Sequence, residues 1–148
     1  MKTVVLFSSK HHGNTRKLLE AMQAADANLA LVDVQGAADA DYSDFDRVGL
    51  ASGVYAGKPD RTLLAYAERD LPEGKPVFFV LTSSMCSDGF FKPFAALAIQ
   101  KGCTELGRFQ CMGYNTFGPF KLVSGVGKGH PTDEDLANAV TFYQGLPG

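Results

Sequence analysis

Ser8, Ser9, Lys10, His12, Gly13, Asn14 and Thr15 gather hydroxyls, an amide and positive or titratable side chains into one short stretch near the N-terminus. The five residues before them, 3–7, are apolar or β-branched without interruption and read as a strand buried on both faces. After them, Leu18, Leu19, Met22 and Ala25 recur at helical spacing and form one face of a helix. A strand that enters a helix through a Ser/Gly/Asn/Thr turn aims backbone N–H groups and hydroxyls at an anion. The helix N-terminus adds its partial positive charge there. The chemistry on offer is phosphate binding. A mononucleotide P-loop would need a Gly-Lys-Ser/Thr ending and a dinucleotide fold a Gly-x-Gly-x-x-Gly; neither is present. The loop also lacks the cysteine that a thiol-based phosphatase would use. His11 and His12 read as a solvated pair or as a pair of which one contacts phosphate. No Cys/His/Asp cluster with ligand spacing lies nearby, so no metal is expected.

Positioning this loop requires the rest of the chain. A second strand fits residues 29–34, followed by a polar loop over 35–46 and a third strand over 47–52. That strand leads into Ser52, Gly53, Val54, Tyr55, Ala56 and Gly57. Pro59 is expected in the first turn of the next helix, whose buried face is Leu63, Leu64, Ala67 and Leu71. Residues 76–81 form the most apolar central strand, which opens into Thr82, Ser83, Ser84, Met85 and Cys86. Ser87 or Asp88 is expected to cap a helix carrying Phe90, Phe91, Phe94, Leu97 and Ala98, with Gly102 as its stop. A fifth strand over 104–112 alternates weakly, as a sheet edge does. Thr132 and Asp135 resemble a capping box for the last helix.

Strand and helix alternating throughout imply an α/β, doubly wound sheet: five parallel strands in the order 2-1-3-4-5 with helices on both faces. Ligands then bind outside the carboxyl ends of the strands, at the switch between strands 1 and 3. The loops at that end are the ones rich in Ser, Thr, Gly and Tyr, while those at the other end are brief turns.

Ser8 and Ser9 followed by Gly13, Asn14 and Thr15 resemble the FMN-phosphate loop of the flavodoxin family, with one residue more between Phe7 and Gly13 than that family's typical loop. The resemblance extends through the element order and the loop chemistry of nearly the whole chain. It implies a single FMN-binding domain over residues 1–148 and a small, non-catalytic electron carrier shuttling electrons between protein redox partners. It further implies that Tyr55 stacks on the flavin ring, with Ser52, Gly53 and Val54 in the same loop and Gly53 or Gly57 permitting a peptide rotation. Thr82, Ser83 and Ser84 would serve the pyrimidine edge or the ribityl chain, with Cys86 approaching the ring from the same loop. Cys86 also sits where a helix N-terminus could lower its pKa. The alternative is an FMN-dependent reductase that takes electrons from NAD(P)H and passes them to a quinone or similar acceptor. A signalling receiver of the same fold would need acidic residues where Ser8, Ser9, Ser52 and Gly53 stand.

Composition narrows the setting. The 148 residues are 45% hydrophobic and 20% charged, enough for a sizeable core. A net charge of −2, from 14 basic and 16 acidic residues, leaves no footprint for nucleic acid. It also gives none of the strong acidity with which many flavodoxins steer toward basic partners. No apolar run approaches a membrane span, and the N-terminus lacks a signal-peptide pattern. Three cysteines without framework spacing suit a reducing compartment, so a cytoplasmic protein is expected; the expected assembly is a monomer or weak homodimer. Residues 113–130, with five glycines among apolar side chains, are expected to form a functional connection: a lid, an extension or split of strand 5, or a partner or dimer surface.

Overall fold

The computed structural model describes residues 1–10, 13–112 and 131–148. His12 and the 113–130 connection, both singled out from sequence, lie outside the described residues. Among the described residues, six strands and four α-helices follow in the order β1 (Thr3–Ser8), α1 (Asn14–Ala25), β2 (Leu29–Asp33), β3 (Arg47–Tyr55), β4 (Lys58–Pro59), α2 (Arg61–Asp70), β5 (Pro76–Ser83), α3 (Lys92–Gln100), β6 (Thr104–Met112) and α4 (Asp133–Gln144). A 3₁₀ turn, Asp88–Phe91, precedes α3.

The parallel sheet runs β2-β1-β3-β5-β6, which is the expected 2-1-3-4-5 order with the two-residue β4 added as an antiparallel arm on β3. All six residues of β1 are buried because the strand is covered on both faces. Val4, Leu6, Leu50 and Phe79 pack with Leu63 of α2 and Phe94 of α3 on one side. Val5, Phe7, Phe78 and Val80 pack with Leu18 and Met22 of α1 and Ala139 and Tyr143 of α4 on the other. Gly49 is required by this second layer: a Cβ there would lie 2.5 Å from the Phe78 ring.

The β1–β3 ladder pairs Thr3 with Arg47 at its first position and Ser8 with Ser52 at its last. β6 lies at the sheet edge, as its weak alternation suggested, with a register irregularity opposite Val77/Phe78. Thr132 and Asp135 do form a reciprocal capping box on α4, at 2.8 and 3.1 Å.

Two expectations need correction. β3 does not stop at Ser52. It continues to Tyr55, reverses at Ala56 and Gly57 (φ 53° and 78°), and returns through Lys58 and Pro59. Two positive φ values in succession are what a two-residue turn matching the strand twist demands. Pro59 therefore belongs to β4, and Asp60 is the N-cap of α2, its carboxylate accepting from the Thr62 N–H at 2.9 Å. Likewise, neither Ser87 nor Asp88 caps α3 with its side chain; the chain enters α3 through the 3₁₀ turn with Pro93 near the helix start.

Candidate functional site

The carboxyl ends of β1, β3 and β5 bring the described sequence-named residues to one end of the sheet. α1 begins directly after Gly13, whose φ of 63° places it in the left-handed region. The helix has no side-chain N-cap and no acidic residue in its first turn, where Arg16 and Lys17 stand instead. Its dipole end thus keeps a net positive character, as an anion site needs. Asn14 and Thr15 are buried, and the Thr15 hydroxyl meets that of Thr82 at 2.9 Å, tying the helix start to the end of β5.

The hydroxyls divide into those already engaged and those facing outward. Ser8 is fully buried; its Oγ donates to Asp60 Oδ2 at 2.6 Å and accepts from Gln35 Nε2 at 2.6 Å. Ser52, also fully buried, donates to the Gly53 carbonyl at 2.6 Å and accepts from the Asp60 N–H at 2.9 Å. Ser83 donates to the Met85 carbonyl and accepts from Gln110 Nε2 at 3.2 Å. These three hydroxyls are engaged within the protein, tying the loops to one another. Ser9 and Ser84 are half-buried and Lys10 is exposed, so they are the loop groups that reach solvent. Ser9 Oγ accepts from the Arg16 N–H at 3.4 Å.

Tyr55 is half-buried and folds back on β3: a Cβ at Gly53 would lie 2.8 Å from its hydroxyl. That hydroxyl accepts from the Lys10 N–H at 3.2 Å, and the Lys10 ammonium sits 5.6 Å from the ring centroid. Tyr55 thereby braces the β3–β4 hairpin against the loop after β1, a role the sequence did not show. Burial pushes its phenol pKa up. Gly53 is a strand residue under this ring, and the left-handed conformation of Gly57 is used by the hairpin turn.

Asp60 is the residue that sequence reasoning missed. Its carboxylate is buried and accepts from Ser8, from Gln35 Nε2 at 3.3 Å and from Lys10 Nζ at 3.2 Å, besides capping α2. Burial alone would raise its pKa. The bonds from Ser8, the Thr62 N–H and Lys10 outweigh that and hold the carboxyl below its ordinary range. The N-cap signal was present, an Asp directly ahead of a helical apolar pattern, but placing Pro59 inside the helix hid it. Beside this network opens a cleft of about 1020 Å³ lined by Lys10, Tyr55, Lys58, Asp60, Arg61 and Tyr66, among others.

The loop after β5 is different in kind. Met85 and Cys86 are exposed, and the Ser87 N–H donates to Gln110 Oε1 at 3.0 Å. The Cys86 thiol is not activated: burial of the sulfur outweighs a Ser83 hydrogen bond and raises its pKa. The helix start that the sequence placed near Cys86 lies further on, since α3 begins at Lys92. Cys111 is buried, which pushes its thiol up to about 12, and half-buried Cys103 donates to the Pro72 carbonyl at 3.4 Å. Among the described residues no group of acidic, histidine and cysteine side chains could hold a metal ion. Among them, too, no helix is long and apolar enough to cross a membrane.

Residues 4–89 match the model of the flavodoxin domain family. The chain belongs to that family. An uncharacterised protein of Methanocaldococcus jannaschii is 29% identical over 148 residues, covering 99% of this chain and 98% of the relative. Among solved structures, a P. pentosaceus protein described as an NADPH-quinone reductase superposes with a TM-score of 0.65 at 13% identity, covering 97% of this chain and 96% of that one. A flavoprotein of Lactobacillus acidophilus in complex with FMN superposes with a TM-score of 0.55 at 20% identity, covering 74% of this chain and 92% of that one. At these identities the flavodoxin-like chain and its structural neighbours share a fold.

Proposed function

We propose that this flavodoxin-family chain binds FMN at the carboxyl ends of β1, β3 and β5 and carries electrons between redox partners. The observation that carries the reading is the start of α1: a helix N-terminus without a first-turn acid, reached through Ser9, Lys10 and a left-handed Gly13. Ser9, Lys10 and the backbone N–H groups at the helix start would hold the phosphate. The FMN complex of the Lactobacillus acidophilus neighbour supports the cofactor assignment. Bound FMN supplies the redox chemistry; the protein supplies binding, orientation and an electrostatic setting. The chain's own part is to hold the phosphate at the start of α1, to keep the β3–β4 hairpin fixed through Tyr55, and to leave the Met85–Cys86 rim open to a partner.

The experiment is a titration of the purified protein with FMN, followed in the visible spectrum. Flavin bands that shift and saturate at one equivalent are expected. A spectrum that remains that of free FMN, even with the flavin in excess, overturns the assignment. The P. pentosaceus neighbour, described as an NADPH-quinone reductase, favours a second reading: turnover of NAD(P)H with a quinone. Steady oxidation of NAD(P)H by the FMN-loaded protein upon adding a quinone would replace the carrier by the reductase. A protein that accepts electrons only from a partner protein keeps the carrier.

A further inference from the structure

The Asp60 carboxylate has four donors, and they are not equivalent. Ser8 Oγ at 2.6 Å, Gln35 Nε2 at 3.3 Å and the Thr62 N–H at 2.9 Å are neutral, and the first and last belong to the sheet end and the helix start. Lys10 Nζ at 3.2 Å is the charged one, and its side chain is 46% exposed against 3% for Asp60. A lysine ammonium on a flexible four-carbon stem can move without disturbing the backbone. Here the backbone is pinned separately, because the Lys10 N–H donates to the Tyr55 hydroxyl. Lys10 lines the open cleft beside Asp60, and its exposed side chain is not packed in place. Removing Lys10 from Asp60 still leaves the carboxylate with three hydrogen bonds, so the move does not strand a bare buried charge.

We propose that Asp60 is a specificity-determining residue that competes with a phosphate ester for Lys10. In the ligand-free protein Lys10 is paired with Asp60; when a phosphorylated ligand arrives, the ammonium transfers to the phosphate. Asp60 stays behind, held by Ser8, Gln35 and Thr62. The carboxylate thus weakens the recognition of the phosphate and sets how strongly the site prefers FMN over riboflavin, which has the same ring and ribityl chain but no phosphate. This inference rests on the reading of the residue 8–15 loop as a phosphate site.

The test measures the dissociation constants of FMN and riboflavin for the wild-type protein, Asp60→Asn, Lys10→Met and the double variant. Asparagine retains an oxygen to cap α2. Lys10→Met changes an exposed side chain and keeps the test available should Asp60→Asn not fold. Asp60→Asn should tighten FMN by about tenfold, or roughly 1.4 kcal/mol, with riboflavin unchanged. Lys10→Met should weaken FMN by about tenfold and again leave riboflavin unchanged. In the Lys10→Met background the gain from Asp60→Asn should shrink or vanish, since the freed cation is gone. A merely structural Asp60 would move both flavins together. Equal losses for both flavins in Asp60→Asn, or an FMN affinity indifferent to Lys10→Met, overturns the proposal.

A wild-type protein that binds neither flavin would sink the FMN reading but leave this one decidable. Inorganic phosphate is then titrated into uniformly ¹⁵N-labelled protein, following the amide signals of Ser9, Lys10 and Gly13. Tighter phosphate binding in Asp60→Asn than in wild type upholds the competition, while equal binding or no response overturns it.

Discussion

The β1–β3 ladder ends in a charge at both of its ends, and the two are handled differently. At the amino end, Thr3 pairs with Arg47, whose Nε donates to Thr3 Oγ1 at 2.8 Å. The guanidinium is buried under the Tyr143 ring of α4, 4.8 Å from its centroid, and the Tyr143 hydroxyl donates to Asp26 at 2.6 Å. At the carboxyl end, Ser8 pairs with Ser52, and the buried charge is the Asp60 carboxylate, answered by an exposed lysine. One end is sealed by a helix; the other has its counter-ion on a flexible stem in contact with solvent. A charge locked beneath an aromatic ring serves stability, whereas a charge with a movable partner can be exchanged for a ligand. Both ends are built on the same two strands, so the difference comes from what each end is covered by.

Breaking the sealed end should have the largest effect. Arg47→Ala removes a buried cation together with its packing, and should cost about 3 kcal/mol in urea denaturation while leaving flavin affinity within about twofold of wild type. A comparable loss of flavin binding would show that the two ends are coupled through the ladder.

A smaller perturbation sharpens the comparison through pH. Asp26 is held below the ordinary carboxylate range chiefly by the Tyr143 hydroxyl and also by the Asn28 N–H, against the opposing effect of burial. Asp60 is lowered as well. Both folded-state values lie below the unfolded value of about 3.9, so their stabilisation is complete above pH about 4 and is lost as pH falls through the folded values. Tyr143→Phe should cost about 1 kcal/mol at pH 7, a difference that closes as the pH drops below about 4. Asp60→Asn should remove the other share of the same acid limb. Stability of Tyr143→Phe and wild type measured by thermal denaturation at pH 7 and pH 3 checks this.

The smallest effect concerns the hairpin that carries Tyr55. Ala56 is the one non-glycine residue with positive φ among the described residues. Ala56→Gly should relieve that strain and stabilise the protein by about 0.5 kcal/mol, read as a rise in urea midpoint at constant slope. A loss of stability would mean that the entropy of the unfolded glycine outweighs the relief.

How much of this was legible in the sequence follows from the range of the interactions. The strand–loop–helix unit at Ser8–Thr15 is local, and its apolar pattern and turn residues announce it. So do the parallel sheet order and the Thr132–Asp135 cap. The hairpin was hidden because its turn is Ala-Gly rather than the Asn-Gly or Asp-Gly that signals such a reversal. The engagement of Ser8 and Ser52 was hidden because their common partner, Asp60, comes from another loop, and a hydroxyl in sequence does not reveal whether it faces a ligand or a carboxylate. Arg47 reads as a polar strand start; its burial depends on Tyr143, at the far end of the chain. Local chemistry was readable, while the choice of which hydroxyls remain available was made by tertiary contacts.

The unequal cover of the three thiols has a practical consequence. Cys86 is exposed on the β5 rim, while Cys103 is tied to the Pro72 carbonyl and Cys111 is buried in the sheet. A fluorophore or spin label can therefore be directed to Cys86 of the unaltered chain by exposure alone, since its raised pKa gives it no advantage in reactivity. The label would sit on the loop after β5, at the carboxyl end of the sheet. The molecule thus comes with its own reporter position, and quenching measurements from it can follow flavin titrations without a designed cysteine.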